Sequence, residues 1–226
     1  MDEPPSQVTL QEIRPTRLGH QKLLVLSDGR ELLVHPEALL AHSELAEGVP
    51  VSEETLAELE RESWRALAHE AALRLLSHRA RSEQEMRTRL AMRGIPPDVV
   101  EAEIERLREA GLLDDAQFAN AWVEERRRTS PRSRQLLRFE LLGKGIAPET
   151  ADLATRDVED LPTAIELARK RARTTGSGED ETAFLQRIVE FLRRRGFDFE
   201  TARHAARLVW EELRSSASAD AVDCNT

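Results

Sequence analysis

The chain has 226 residues, with 42 acidic and 33 basic side chains, a formal net charge of −9, and 40% hydrophobic residues. This length and composition suit one or two folded domains, and no run of 18 apolar residues offers a membrane-crossing helix. The one cysteine, Cys224, excludes an intramolecular disulfide and a multi-cysteine zinc site; the start, Met1-Asp-Glu-Pro-Pro, lacks the regions of a signal peptide, so a cytoplasmic protein is expected.

In chain order, residues 1–50 break the helical pattern that follows. Lys22–Ser27 and Arg30–Val34 flank Asp28-Gly29, a hairpin signal, and Val8–Arg14 supplies a third strand. A small antiparallel sheet is predicted there, followed by a short helix over Pro36–Ala46 and a linker over Gly48–Val51. Ser52 starts a helix that runs on through Trp64. Residues 51–110 then hold a linker helix and a first repeat, 111–160 a second and 161–214 a third; Ser215–Thr226, small and polar, reads as a disordered tail.

The repeat is read from spacing. Gly94, Gly145 and Gly196 stand 51 residues apart. Four residues before each come Leu90, Leu141 and Leu192, and eight before come Met86, Leu137 and Ile188. A base precedes each glycine (Arg93, Lys144, Arg195), an apolar residue follows it (Ile95, Ile146, Phe197), and an acid lies four on (Asp98, Glu149, Glu200). The i, i+4 apolar stripe predicts a helix ending at each glycine, the glycine taking the left-handed position and the base lying in the last turn. Ser82 with Glu85 reads as a capping box for the first of these helices. Pro97 and Pro148 suit the first turn of a second helix, and the acids its positive end. A further helix precedes each pair, over 64–77, 114–128 and 162–174, with Asp114 and Gln117 as a cap for the middle one. Three helices per unit, used three times, predict a mainly α stack of tandem repeats with an extended surface, small β extension apart.

Charge is uneven along the chain. Residues 1–62 carry 13 acids and 5 bases, whereas residues 63–214 carry 27 and 28. Arg126, Arg127, Arg128, Arg132, Arg134 and Arg138 fall in a stretch without an acid, and Pro131 divides it into two helix ends. Arg169, Lys170, Arg171 and Arg173 make a second run, and Arg193, Arg194 and Arg195 a third. These runs are either solvated helix faces or contacts to phosphates or an acidic partner. Acids gather on the last helix of the first unit at Glu101, Glu103, Glu105 and Glu109, and of these Glu101, Glu105 and Glu109, at i+4 spacing, read as a solvated face.

No motif for bond-making chemistry stands out. There is no phosphate-binding glycine loop, Gly176-Ser-Gly178 reading as a linker, no Gly-x-Ser-x-Gly elbow and no His-Glu-x-x-His pair. His20, His35, His42, His69, His78 and His204 are scattered and read as surface or boundary residues. Asp114-Asp115 reads as a helix cap. Phe118 and Trp122, at i and i+4, read as core, as do Trp64 and Trp210. Tyrosine is missing, which argues against a single-strand stacking platform. No catalytic residue, metal site or cofactor is expected.

Arg81-Ser-Glu-Gln-Glu-Met-Arg-Thr-Arg-Leu90 with Arg93-Gly-Ile95 resembles the first-unit signature of the RecX family. Gly111-Leu-Leu-Asp-Asp-Ala-Gln-Phe-Ala119 resembles the motif joining its first and second units. Arg132–Arg138 with Lys144-Gly-Ile146, and Phe191–Phe197, resemble the second and third. The resemblance covers about residues 64–213. It implies a bacterial regulator of the RecA recombinase, not an enzyme: a curved, elongated solenoid of three-helix units lying in the groove of the RecA–DNA filament and inhibiting ATP hydrolysis, strand exchange and repressor cleavage. Family basic positions map onto Arg126, Arg127, Arg128, Arg132 and Arg134. Members are often basic, whereas this chain is acidic, mostly through residues 1–62, which bears on its affinity for free DNA. A monomer is expected. Two other readings of the residues remain: a helix-turn-helix-like DNA-binding regulator, and a protein-interaction scaffold.

Overall fold

The computed structural model of the chain describes residues 8–16, 21–174 and 180–223; His20, the Gly176–Gly178 segment and Cys224 lie outside them. Strand β1 is Val8–Pro15, β2 Lys22–Leu26 and β3 Glu31–Val34. The turn at Asp28-Gly29 joins β2 to β3 with Gly29 at φ +84°, a backbone that a side chain disfavours. Helix α1, Pro36–Ala41, is capped by His35 and stops short of the predicted Ala46. Gly48–Val51 is not a linker: Pro50–Val51 forms strand β4 on the far edge of β1, so the sheet runs β3-β2-β1-β4, antiparallel throughout. The Leu10 N–H donates to Val49 O and the Gly48 N–H to Leu10 O, which holds that edge. A four-residue segment with Pro and Gly carries too little pattern for strand reading; backbone pairing decides it.

Helix α2, Glu53–His78, starts at the predicted Ser52 cap, whose hydroxyl accepts from the Thr55 N–H. It serves two cores. Leu56 and Leu59 pack with Val8, Leu10, Leu24, Leu26, Val34 and Val51 of the sheet. Ala68, Ala71 and Ala72, further along, pack into the first repeat. The sheet and first repeat accordingly belong to one compact unit, Met1–Asp114, and residues from Asp115 onward to a second. The first repeat continues with α3, Glu83–Ala91, and α4, Pro97–Glu109; the second has α5, Asp115–Thr129, α6, Arg134–Gly143, and α7, Pro148–Thr155; the third has α8, Asp160–Arg173, α9, Glu181–Arg193, and α10, Phe199–Asp223.

The 51-residue step has a packing cause. Leu90, Leu141 and Leu192 are fully buried, as are Met86, Leu137 and Ile188, and Ile95, Ile146 and Phe197 are buried across the turn. Gly94, Gly145 and Gly196 take φ of +76°, +80° and +88°. In the second and third repeats the residue after the glycine donates back to the leucine carbonyl (Ile146 N–H to Leu141 O, 3.1 Å; Phe197 N–H to Leu192 O, 3.3 Å), and each glycine N–H donates three residues back. This is the Schellman closure, in which the apolar residue after the glycine packs against the leucine five positions earlier. The preceding cations sit slightly later than expected: Lys144 is the C-cap itself, and Arg93 and Arg195 fall one residue past theirs.

Helix starts repeat too. Buried Ser82 and Ser133, again 51 apart, accept from the N–H groups of Glu85 and Leu136. Pro97 and Pro148 open α4 and α7, and Asp98, Glu149 and Glu200 lie in the first turns of the third helices. In the third repeat the cap is Asp180, one helical turn earlier than the step predicts. Helix α10 extends to Asp223, through most of the segment predicted to be disordered; Ala217, Ala219 and Ala221 favour helix and no Gly or Pro stops it.

Candidate cationic interface at the second and third repeats

The first basic run lacks acids in its own stretch, yet the fold supplies them, which corrects the expectation of uncompensated guanidinium groups. Arg127 meets Glu124 at 3.3 Å and Arg128 meets Glu125 at 2.7 Å, each one turn back on α5. Both pairs are exposed, and such pairs contribute little to stability. The Glu125 hydrogen bond holds Arg128 above the usual guanidinium range. Arg138 pairs with Asp152 on α7 through Nε and Nη2. Asp152 thereby lies below the usual carboxylate range. The first repeat has the same bridge 51 residues earlier, Arg87 Nε to Glu101 at 3.0 Å. A pair that recurs with the step joins the second and third helices of a repeat, and Arg138 belongs to that framework.

Arg126 and Arg132 differ. Both reach Glu140 on α6: Arg126 Nε lies 3.1 Å from Oε2, and Arg132 Nη1 contacts Oε1. Trp122 Nε1 donates to the same Oε2 at 2.9 Å. The Trp122 ring carries Arg126 at 4.2 Å from its centroid and Lys144 at 4.0 Å. Phe118 is buried, and Trp122 packs on that core as predicted.

Two distant runs meet here. The Ser133 N–H donates to Arg195 O at 3.0 Å, and its hydroxyl donates to Gly196 O at 2.7 Å. The start of α6 is thus bound to the end of α9. Only glycine permits it: a Cβ on Gly196 would lie 2.5 Å from Leu136 Cβ and 2.6 Å from Ser133 Oγ. Arg132 is held below the usual guanidinium value by burial first, then by Arg126 and Arg195. Arg195 stacks on Phe191 at 4.3 Å and Arg171 on the same ring at 5.6 Å. Arg195 has no acidic partner among the described residues, and its buried Nε has no hydrogen-bond partner. Side chains of all three runs therefore converge on the second unit's α5, α6, α8 and α9.

The remaining predicted residues surround this cluster or lie apart from it. Arg134, Arg193 and Arg194 are exposed at the same helix ends; the Arg134 N–H donates to Asp160 Oδ1 at 2.7 Å. Lys170 is exposed on α8. Arg169 pairs with Glu212 of α10 at 2.8 Å, which raises the arginine and lowers the carboxylate from their usual values.

In the first unit, Glu103 is buried and hydrogen-bonds with His69 Nδ1 at 2.8 Å. His35 caps α1, and His42 contacts Glu62 at 3.0 Å. These pairings need helix contacts that single-sequence periodicity does not specify. No His/Cys/Asp/Glu group suited to a metal ion occurs among the described residues, and no described helix is long and apolar enough to cross a membrane.

Comparison with known proteins finds three matching three-helix domains in succession. Residues 68–107 match the first three-helix domain of RecX, 114–154 the second and 157–205 the third. The regulatory protein RecX of Mycobacterium avium is 39% identical over 133 residues, spanning 58% of this chain and 77% of the relative. That of Lacticaseibacillus paracasei is 27% identical over 209 residues, spanning 90% and 85%. A crystal structure of regulatory protein RecX shares the fold with a TM-score of 0.57 at 22% identity, covering 86% of this chain and 96% of that one. The crystal structure of RecX from Lactobacillus salivarius superposes with a TM-score of 0.55 at 22% identity, covering 65% and 96%.

Proposed function

The chain belongs to the RecX family of regulatory proteins, and from that premise we propose that it binds the RecA–DNA filament and inhibits its ATP hydrolysis, strand exchange and coprotease activity. The observation that carries this reading is the meeting of three basic runs in one unit, with Arg126 and Arg132 on Glu140 and Arg195 within interacting range of Arg132. A surface of that sign fits a nucleoprotein polymer. Its acidic first 62 residues work against tight binding to bare DNA. The chain brings no cofactor and makes no bonds. It acts by preferring one filament state, and shifts the filament only as far as its affinities for the two states differ.

Co-sedimentation tests the binding step. RecA filaments on single-stranded DNA, locked with a non-hydrolysable ATP analogue, should carry the protein into the pellet. Protein that stays in the supernatant at saturating filament would refute the reading. Binding to bare duplex DNA with a sequence-dependent footprint, and none to the filament, would instead identify a helix-turn-helix-like regulator.

A further inference from the structure

We propose that the seam where α6 begins and α9 ends is an oxyanion site for a phosphate group, with Arg132 and Arg195 as its two jaws. In the filament reading, on which this step rests, the phosphate is a phosphodiester of the bound DNA strand.

Three features of the seam support it. The jaws are placed by backbone: Ser133 follows Arg132 directly, and its N–H and hydroxyl bind the Arg195 and Gly196 carbonyls at 3.0 and 2.7 Å. These bonds fix the backbone of both jaws relative to each other before any ligand binds. The Arg195 guanidinium is also oriented in advance, stacked on Phe191 at 4.3 Å. A planar guanidinium offers parallel N–H donors that match two oxygens of a phosphate.

Charge is the second feature. Arg132 lies within interacting range of both Arg126 and Arg195, and Glu140 is the carboxylate in contact with Arg126 and Arg132. Glu140 also accepts from Trp122, so its oxygens are shared among three donors. Arg195 is left without an acid. Gathered like charges repel, more so where burial removes solvent, and a bound anion relieves that repulsion. Asp160 lies at the rim, where it accepts from the Arg134 N–H, and makes no ion pair with either jaw among the described residues.

The third feature is the rim. Arg134, Arg193 and Arg194 are exposed at the same two helix ends and have no ion pair among the described residues. Two jaws suit a single phosphate; the added rim suits a chain of them. A polynucleotide should accordingly bind more tightly than inorganic phosphate, and with greater salt dependence.

Titration of the full chain with inorganic phosphate and, separately, with a short oligothymidylate tests this and distinguishes the two sources. Both should bind. Three phosphate contacts on a single strand give a slope of log affinity against log salt of about −2. Arg132→Gln and Arg195→Gln, checked for unchanged melting, should each weaken both ligands about tenfold, the loss of a charge-assisted hydrogen bond. Arg127→Ala with Arg128→Ala, which removes two exposed paired arginines, should leave the phosphate titration unchanged. Glu140→Gln keeps an acceptor but removes the counter-charge, and should raise phosphate affinity; a purely structural cluster would not respond in that direction.

Wild-type phosphate affinity in Arg195→Gln, or weaker phosphate binding in Glu140→Gln, would overturn the site. Phosphate binding without oligothymidylate binding would restrict it to free phosphate and overturn the phosphodiester assignment. The filament reading fails differently: a chain that binds both ligands by these residues but leaves RecA unaffected keeps the site and loses the function. Arg195→Gln that loses oligothymidylate yet still inhibits RecA fully keeps the function and loses the phosphodiester contact within it.

Discussion

Gly196→Ala probes the seam without touching a charge. The new Cβ would stand 2.5 Å from Leu136 Cβ and 2.6 Å from Ser133 Oγ. Leu136 Cβ is fixed to its own backbone, so no rotamer change relieves the overlap, and the start of α6 must move away from the end of α9. That movement puts the Ser133 hydrogen bonds to Arg195 O and Gly196 O at risk. Each contributes about 0.5–1.5 kcal/mol. Alanine at φ +88° adds about 1–2 kcal/mol of backbone cost. The sum is about 2–5 kcal/mol, which for a unit of roughly 100 residues lowers its melting temperature by about 10–25 °C. Gly94→Ala is the control. It has similar φ, +76°, but nothing within 4 Å of the added Cβ, so it costs the backbone term alone, about 1–2 kcal/mol. Calorimetry of the two variants and wild type decides it. A Gly196→Ala transition lowered no further than that of Gly94→Ala would refute the close approach at the seam.

Three further outcomes follow from named contacts. Asp198 accepts from the Thr201 N–H at 2.8 Å and from its hydroxyl, and is held below the usual carboxylate range by them, the backbone bond first. A depressed carboxylate stabilises above its unfolded value and loses that as pH falls through the folded one, so the melting advantage of wild type over Asp198→Ala should be full at pH 7 and shrink below about pH 4; a constant gap would contradict it. Deleting residues 1–50 uncovers Leu56 and Leu59, so the first unit should melt lower or be unfolded while the second keeps its transition; an unshifted first transition would show that α2 needs no sheet. Arg138→Ala breaks the framework bridge to Asp152 and should shift the melting temperature little, because exposed pairs contribute little to stability, with filament affinity measured by co-sedimentation unchanged; a large loss of affinity would return Arg138 to the interface.

The fold was legible wherever side-chain pattern and backbone need coincide. Gly94, Gly145 and Gly196, the leucines before them and the apolar residues after them were all readable, because each helix ends on a left-handed glycine with a buried apolar residue on either side of the turn. The hairpin at Asp28-Gly29 was legible for the same reason. Strand β4 was not, because Pro50 and Val51 join the sheet through backbone bonds from Gly48 and Leu10 rather than through any pattern of their own. For the candidate interface, the sequence identified the basic residue types but not their arrangement. Glu124 and Glu125 are near Arg127 and Arg128 in sequence, yet stand just outside the acid-free stretch; Glu140 and Asp152 are brought in by folding. The approach of Arg132 to Arg195 spans 63 residues and depends on Ser133, a small polar residue whose burial no pattern signals. Its one trace in the sequence is that Ser133 repeats Ser82 at the 51-residue step.

DNA-dependent ATP hydrolysis by RecA tests the regulatory reading most directly. With RecA on single-stranded DNA, addition of this protein at less than one molecule per RecA protomer should slow hydrolysis, and Arg132→Gln with Arg195→Gln should weaken that effect. An unchanged rate at a several-fold excess over RecA would contradict the account.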